Sequence, residues 1–452
     1  MKSFIYKIIR FSAALERSRK RRLTESGTFI FYCLILLAVV GGNTNQNMTY
    51  QVFAFVLSLF IVSIIYSRFF RFRFQAVRIL PKFATVGITI KYRVIIHNKT
   101  NQTQTHLKLL ENFVDPRPTL SEFLEITEPQ ENKRNTLDRY LGYYRWLWLM
   151  ERKQKGTAKT IDIPTLLPNS KTEVMGEITP TYRGVIRLAG LTVTQPDPFN
   201  IFNAAVSIAL PQTLLVLPKL YKLPPIQLPG SRKYQSGGVA LASSVGDAEE
   251  FRSLREYRPG DSPRKIHWKS WAKVGKPIVK EEQDEFFVRH ALILDTFQQQ
   301  LKYSDILDEA IAIAASLACE VQTQESLLDL MFVGHEAYCF TFGRGISYTE
   351  KMLEILASVI SCQDKNFDSL IPVITEKISL LSGCICIFLD WDNSRQNLVN
   401  YLTKVGVDVL VLILTYPEKA SLNNFDFSSM QSDRVTFRVL KLGNMQEELM
   451  KI

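Results

Sequence analysis

The chain is poor in the side chains that build disulfide frameworks and metal sites. Six cysteines are spread over 452 residues, and none shows the two-residue gap of a zinc or redox motif. Cys33 falls in an apolar run, and Cys319, Cys339, Cys362, Cys384 and Cys386 lie in or beside others. Buried thiols in a reducing compartment are the expectation. No G-x-S-x-G, H-E-x-x-H, G-x-x-x-x-G-K-[ST] or glycine-rich dinucleotide loop occurs, so the usual signals of several enzyme classes are missing. Charge is missing too, across the 42 residues 26–67. With 46% hydrophobic residues, a disordered chain, a small disulfide-stapled scaffold and a collagen-like fibre are excluded. The length suggests about three units, hence a multidomain protein.

The net charge of +11 is concentrated. Residues 1–25 carry eight bases and two acids, a net of +6, and residues 68–82 carry five bases and no acid. These two clusters account for the whole excess and flank the uncharged run. Two apolar stretches in that run, about 28–42 and 52–66, predict two N-terminal transmembrane helices forming a hairpin over 26–67. Basic residues outside both spans place both termini and the soluble units in the cytoplasm. The polar loop 43–50 then faces out. Its sequon, Asn47-Met48-Thr49, is not read as a glycosylation site, and no Ala-x-Ala-like cleavage site follows the first span. Within the basic segment 1–25, Phe4, Ile5, Ile8, Ile9, Phe11 and Leu15 recur at helical spacing, which predicts an interfacial helix on membrane lipid. A nucleic-acid binder carries its excess charge on the folded domain, so no nucleic-acid partner is expected.

Residues 75–225 read as an all-β sandwich, immunoglobulin-like. Ile88, Ile90, Tyr92, Val94 and Ile96 alternate with polar neighbours, and further strands are predicted at 107–113, 172–178, 184–194 and 213–217. No helical period persists there. One segment crowds Tyr140, Tyr143, Tyr144, Trp146, Trp148 and Met150 ahead of Arg152 and Lys153. Tyr143, Tyr144, Trp146 and Trp148 are candidates for an aromatic plate at the membrane interface or a partner surface, the alternative being an insertion that packs on the sandwich.

Residues 226–285 read as a linker followed by a dense charged motif. Pro259-Gly260-Asp261 predicts a turn, and Asp261 is placed to cap a helix starting near Ser262-Pro263. The alternating acids and bases predict a clasp of ion pairs or a partner surface. Phe251, Arg255, Glu256, Tyr257, Gly260, Asp261, Arg264, Ile266, His267, Trp268, Lys269 and Ala272 match a long pattern, E-F-x-x-L-R-E-Y-x-x-G-D-x-x-R-x-I-[DH]-W-[KR]-x-[ST]-A. In this the chain resembles a bacterial membrane-anchored family, the domain of unknown function numbered fifty-eight. Arg183-Gly184-Val185 and Asp197-Pro198-Phe199-Asn200-Ile201-Phe202 also resemble that family's R-G-x…D-P-F-G-L-F segment, with Asn200 in place of Gly. The resemblance implies a two-span anchor in the bacterial inner (plasma) membrane, a β-sandwich and a C-terminal von Willebrand factor A-like domain. It also implies a link with MoxR-type AAA+ ATPases.

Residues 286–452 alternate strand and helix independently of that resemblance. Strands are predicted at 288–295, 327–333, 337–342, 384–390, 407–415 and 435–442, and helices at 304–323, 349–361 and 393–404. Continuous apolar strands predict an α/β doubly wound sheet covered on both faces. Ligands of such sheets gather at the carboxyl ends of strands, here Asp295 and Asp390. A von Willebrand factor A-like domain implies a divalent ion on D-x-S-x-S plus a later Thr and Asp. This chain reads Asp295-Thr296-Phe297-Gln298-Gln299, with Thr349 and Asp390 as the later matches. Phenylalanine cannot ligate a hard cation, so no metal and no cofactor are expected. Asp392-Asn393-Ser394 is expected to cap the following helix.

The function these features predict is a membrane-anchored, cytoplasm-facing scaffold. It would dock a MoxR-type AAA+ ATPase through the α/β domain and the charged motif, without catalysis of its own. The alternatives are a hydrolase-like enzyme built on Asp261, His267 and Asp295, and an envelope-assembly factor touching lipid or glycan.

Overall fold

The structure is a computed structural model that describes residues 2–40, 47–70, 72–129, 131–224, 251–261, 263, 266–282, 289–298, 304–323, 327–342, 346–416 and 433–451. The polar loop around 43–46, the strip 225–250, Arg264 and Gln299 lie outside the described residues. The chain divides into two compact units, residues 1–219 and residues 220–452, apart from 301–303.

The first unit opens with three helices, α1 (Lys2–Arg22), α2 (Glu25–Val40) and α3 (Asn47–Phe69). One of them, α3, is long and apolar enough over Met48–Phe69 to cross a membrane. Its 23 residues reach ~34 Å at 1.5 Å per residue. The 16 residues of α2 reach only ~24 Å, short of the ~20 residues that a hydrocarbon core requires. The two helices meet at Phe31 and Phe60, whose rings lie 6.0 Å apart. Both expose large apolar side chains on the outside, among them Phe29, Leu36, Val39 and Phe55.

In α1, Tyr6 and Ile9 are buried with Phe123 and Trp146, and the Tyr6 hydroxyl donates to the Pro118 carbonyl at 3.0 Å. Phe4, Ile8, Phe11 and Leu15 form a second stripe at spacings of four, three and four, and this one is exposed. Of the predicted lipid-facing residues, Ile9 therefore belongs to the docked face, and partly buried Ile5 packs beside it.

Two sheets follow. One has the order β1-β3-β7-β5 and is antiparallel throughout, with β1 (Phe74–Ile79), β3 (Ile90–Asn98), β5 (Gly156–Ala158) and β7 (Lys171–Pro180). The other has the order β2-β9-β8-β4-β6, with β2 (Phe83–Thr85), β4 (Leu107–Phe113), β6 (Ile161–Ile163), β8 (Gly184–Pro196) and β9 (Asn203–Leu217). Only β2–β9 is parallel there. Alternate residues of β3 (Tyr92, Val94, Ile96) face Leu107 and Leu109 of β4, Ile186 and Leu188 of β8, and Leu214 and Val216 of β9 in one core. The period-two pattern is what lets each sheet bury a single face. A buried ion pair ties the layers together. Arg78 of β1 donates to Glu111 of β4 at 2.9 and 3.1 Å, and Glu111 also accepts from the Tyr92 hydroxyl at 2.7 Å.

Three helices interrupt these strands, where the sequence showed no helical period. They are α4 (Leu120–Glu125), α5 (Thr136–Leu141) and α6 (Tyr143–Gln154). The buried positions of α6 are Arg145, Trp146, Leu149 and Arg152. Two of the four are arginines, so the apolar period is hidden. Arg145 is held by Glu131 and the Phe123 carbonyl, and Arg152 lies 4.1 Å over the Tyr182 ring.

The second unit begins with an antiparallel pair, β10 (Phe251–Glu256) and β11 (Ile278–Glu282), joined through helix α7 (Trp268–Val274). These elements lie in the charged motif, and the linker expected before it falls at 225–250, outside the described residues. A six-stranded sheet then runs β14-β13-β12-β15-β16-β17. Its strands are β12 (Arg289–Leu294), β13 (Leu327–Val333), β14 (Ala337–Phe342), β15 (Gly383–Phe388), β16 (Asp408–Thr415) and β17 (Val435–Lys441). All pairs are parallel except the edge pair β13–β14. Every residue of β12 and β15 is buried, as continuous apolar strands require when helices cover both faces. The helices are α8 (Asp305–Thr323), α9 (Ile346–Ser358), α10 (Ile371–Lys377), α11 (Asn393–Lys404) and α12 (Met445–Leu449).

Candidate functional site

The chain leaves β12 and β15 in opposite directions across the sheet, so the crevice outside their carboxyl ends is the first place to look for a site. Asp295 sits there and is fully buried. Its Oδ1 accepts from the Phe297 amide at 3.0 Å, and its Oδ2 accepts from the Leu389 amide at 3.0 Å and from Arg395 Nε at 2.7 Å. Burial raises the Asp295 pKa, and the Arg395 charge and these hydrogen bonds pull against it. Arg395 also donates to Asp392 at 2.6 Å and lies 4.8 Å over the Phe367 ring. Asp392 caps α11 by accepting from the Arg395 amide at 3.0 Å, as expected.

The remaining candidates for a cation do not complete a site. Thr349 lies within α9 rather than on a loop. Asp390 is exposed, and its carboxylate accepts from the Trp391 amide at 2.8 Å. Phe297 packs 5.6 Å from Phe367. A guanidinium and two amides occupy the lone pairs that a divalent ion would need, so these residues do not fit the ion that the resemblance implies. Sequence reading missed Arg395. Its only signal was the Asp392–Arg395 spacing at the start of a helix.

The charged motif forms a compact hairpin. Arg255 grips Asp261 with two hydrogen bonds of 2.7 Å, one to each carboxylate oxygen. Asp261 also accepts from the Arg258 amide at 2.8 Å. Hydrogen bonding from Arg255, then from the Arg258 amide, lowers the Asp261 pKa to about 2. Gly260 takes φ of +108° between them, a conformation that an L side chain rarely adopts. Asp261 therefore closes a turn, and the amides of Ser262, Arg264 and Lys265 that it was expected to cap lie outside the described residues. The α-helix α7 starts at Trp268, with His267 as its N-cap residue.

The His267 ring nitrogen Nδ1 lies 2.6 Å from Ser270 Oγ, and the His267 amide donates to the Ile278 carbonyl at 2.8 Å. The Tyr257 amide donates to the Pro277 carbonyl at 2.9 Å. Glu256 pairs with Lys276 at 3.1 Å on the surface. Trp268 is 64% exposed and stacks on Trp271 at 5.2 Å. Lys269 is exposed beside it. Phe251 pairs through its backbone with Glu282. The structure thus joins Arg255 to Asp261 and His267 to Ser270, and leaves Trp268 and Lys269 facing outward.

In the first unit, the segment from Asp197 to Phe202 is a tight turn. Asp197 Oδ1 accepts from the amides of Ile201 at 2.6 Å and Phe202 at 3.1 Å. Asn200 takes φ of +54°, which explains how Asn stands where the resembled pattern has Gly. The turn holds the α1–α2 corner. The Thr24 amide donates to the Ile201 carbonyl at 3.2 Å, and a Cβ on Gly27 would lie 1.9 Å from that oxygen.

The aromatic plate is divided. Trp146 is 1% exposed and packs against Tyr6 and Phe123. Its expected place at a membrane interface is corrected to the core under α1. Tyr143 and Tyr144 are exposed, and Trp148 is half-buried beside Arg152.

Comparison with known proteins gives a family match over part of the chain and a distant relative. Residues 253–366 match the family described as Protein of unknown function DUF58. The matched stretch includes most of the hairpin, β12 with Asp295, and the sheet as far as the end of α9. Over 177 residues the chain is 25% identical to the uncharacterized protein YeaD of Bacillus subtilis (strain 168), which covers 39% of this chain and 42% of YeaD. The chain thus spans less than half the length of that relative. Two solved structures show weak likeness. The PapD-like domain 7 of human CEP192 has 10% identity and a TM-score of 0.18, covering 32% of this chain and 84% of that one. The GH20 exo-β-N-acetylglucosaminidase of Vibrio harveyi has 9% identity and a TM-score of 0.13, covering 82% and 78%. Scores this low carry no argument about fold or activity.

Proposed function

We propose that this protein is a membrane-anchored scaffold whose second unit docks a partner, a MoxR-type AAA+ ATPase. The single observation that carries this reading is Trp268. It is a large aromatic side chain exposed on a short helix and stacked on Trp271. Exposed tryptophans of this kind are typical anchors of protein interfaces. Numbered by chain position, the strand order of the second unit is 3-2-1-4-5-6 with one antiparallel edge strand, which supports a von Willebrand factor A-like domain. The crevice that would serve chemistry is filled by Arg395, so binding is favoured over catalysis. The first unit's facing sheets support an immunoglobulin-like sandwich.

Anchoring is proposed for α2 and α3 together, with both termini and both units in the cytoplasm at the bacterial inner membrane. The outward apolar side chains of both helices support it, and local bilayer thinning accommodates the shorter α2. The exposed stripe Phe4–Ile8–Phe11–Leu15 then lies in the interface.

The test is affinity purification of the full-length protein from detergent-solubilised membranes, read by mass spectrometry. Wild type is expected to enrich a MoxR-type ATPase, and Trp268→Ala is expected to lose it. No AAA+ protein in the wild-type sample, or equal enrichment in both, would sink the docking reading.

A further inference from the structure

At the carboxyl end of α3, a cavity of about 780 Å³ opens between α1, α3 and the β8–β9 pair. Arg17, Arg21, Arg22, Arg68 and Arg117 line it, and among the described residues no carboxylate does. Asp115, outside the lining, pairs with Arg17 at 3.4 Å and with Arg117 at 2.9 Å. Arg21 has a neutral partner, Asn112 Oδ1, at 2.9 Å. Burial and then the neighbouring Arg17 charge lower the Arg21 pKa, which marks cations held together at a cost. Arg22 and Arg68 are exposed toward the opening, and neither is paired with an acid among the described residues. The cavity also holds neutral hydrogen-bonding groups. Thr192 and Ser207 hydroxyls lie 2.7 Å apart there.

Five guanidinium groups around one opening, with one carboxylate between two of them, are short of negative charge. Guanidinium forks match the oxygens of a phosphate and bind it with charge-assisted hydrogen bonds. Ile64, Ser67 and Arg68 place the opening at the last turns of the apolar helix, the level at which headgroups sit beside a spanning helix. We propose that this cavity binds a phosphate ester through Arg22 and Arg68, with Arg21 behind them, and that in the membrane the ester is an anionic phospholipid headgroup. The lipid source rests on α3 spanning a bilayer, whereas the phosphate site does not.

The experiment compares three full-length proteins: wild type, Arg22→Gln/Arg68→Gln, and Lys2→Gln/Lys7→Gln. The last loses the same charge from the same end of the chain, away from the cavity. Each is reconstituted in phosphatidylcholine nanodiscs with graded phosphatidylglycerol, and lipid retention is read by native mass spectrometry after ejection into detergent. A second arm titrates orthophosphate and glycerol 3-phosphate by calorimetry. Arg22→Gln/Arg68→Gln is expected to weaken phosphatidylglycerol binding by about tenfold or more, with an unchanged melting temperature, while Lys2→Gln/Lys7→Gln retains it. Loss of the soluble esters' binding in the arginine variant, with no lipid retained by wild type, keeps the site and assigns it a soluble ligand. Equal weakening in both variants, or no binding of either probe by wild type, overturns the proposal. Wild type remaining dissolved after ultracentrifugation without detergent would end the anchor reading and leave the soluble-ester arm intact.

Discussion

Arg395 Nε lies 2.7 Å from Asp295 Oδ2, with both side chains withdrawn from water. The pair joins the end of β12 to the first turn of α11, so a helix residue fills the crevice at the centre of the sheet. Removing one partner leaves an uncompensated buried charge. Arg395→Met is therefore expected to destabilise the second unit by about 3–5 kcal/mol. Denaturant unfolding of the detergent-solubilised protein, followed by Trp fluorescence, measures it. A loss below about 1 kcal/mol, the range of surface pairs, would mean that the pair is not buried in solution.

The Asp261 clasp has a defined pH dependence. Its carboxyl pKa, about 2, lies below the unfolded value because Arg255 and the Arg258 amide bind the ionised form. A depressed folded pKa stabilises above the unfolded pKa, and the contribution is lost as the pH falls through the folded one. The hairpin is thus expected to keep the clasp throughout the neutral range and to lose it toward pH about 2. A carbon-13 titration of the Asp261 carboxyl checks this. A midpoint near about 4, the ordinary value, would mean that the grip of Arg255 is not made.

Trp146 and Tyr143 separate core from surface within α6. Trp146→Ala removes a ring packed on Tyr6 and Phe123 and is expected to cost about 3–5 kcal/mol. Tyr143→Ala, at an exposed position, is expected to stay within about 0.5 kcal/mol. Thermal melts of the two variants decide the matter. Equal melting temperatures would return Trp146 to the surface.

Gly27 is the closest approach between the α1–α2 corner and the 197–202 turn. Gly27→Ala drives a methyl into the Ile201 carbonyl, and relief requires the backbone to move. The expected cost is about 1–3 kcal/mol, as for overpacking. It should appear as faster hydrogen exchange at the Thr24 and Ile201 amides. Unchanged exchange at both would show that the corner is not docked.

Much of the second unit was legible in its sequence. The strands at 327–333 and 337–342 and the helix at 393–404 fall where periodicity placed them: burial along β13 leaves a continuous apolar run, and α11 buries Leu398, Val399 and Leu402 on one face. Within the charged motif the ion-pair clasp was expected, but the strands β10 and β11 were not, because Phe-Arg-Ser-Leu-Arg-Glu and Ile-Val-Lys-Glu-Glu show no period-two alternation of apolar and polar residues. Helix α6 escaped notice because Arg145 and Arg152 occupy core positions and take their partners from distant segments. Asn200 could be flagged only as a departure from a resembled pattern, and its positive φ supplied the reason.

Sequence alone determined the local quantities: an uncharged apolar run between two basic clusters, period-two strands, continuous apolar strands, and a turn at Pro259-Gly260-Asp261. Each depends on neighbours a few residues away. Tertiary structure alone decided that Trp146 is core, that a guanidinium faces Asp295, and that five arginines surround one cavity. Those outcomes depend on groups brought together across long stretches of chain, and the partner of a buried charge leaves no mark in the residues beside it.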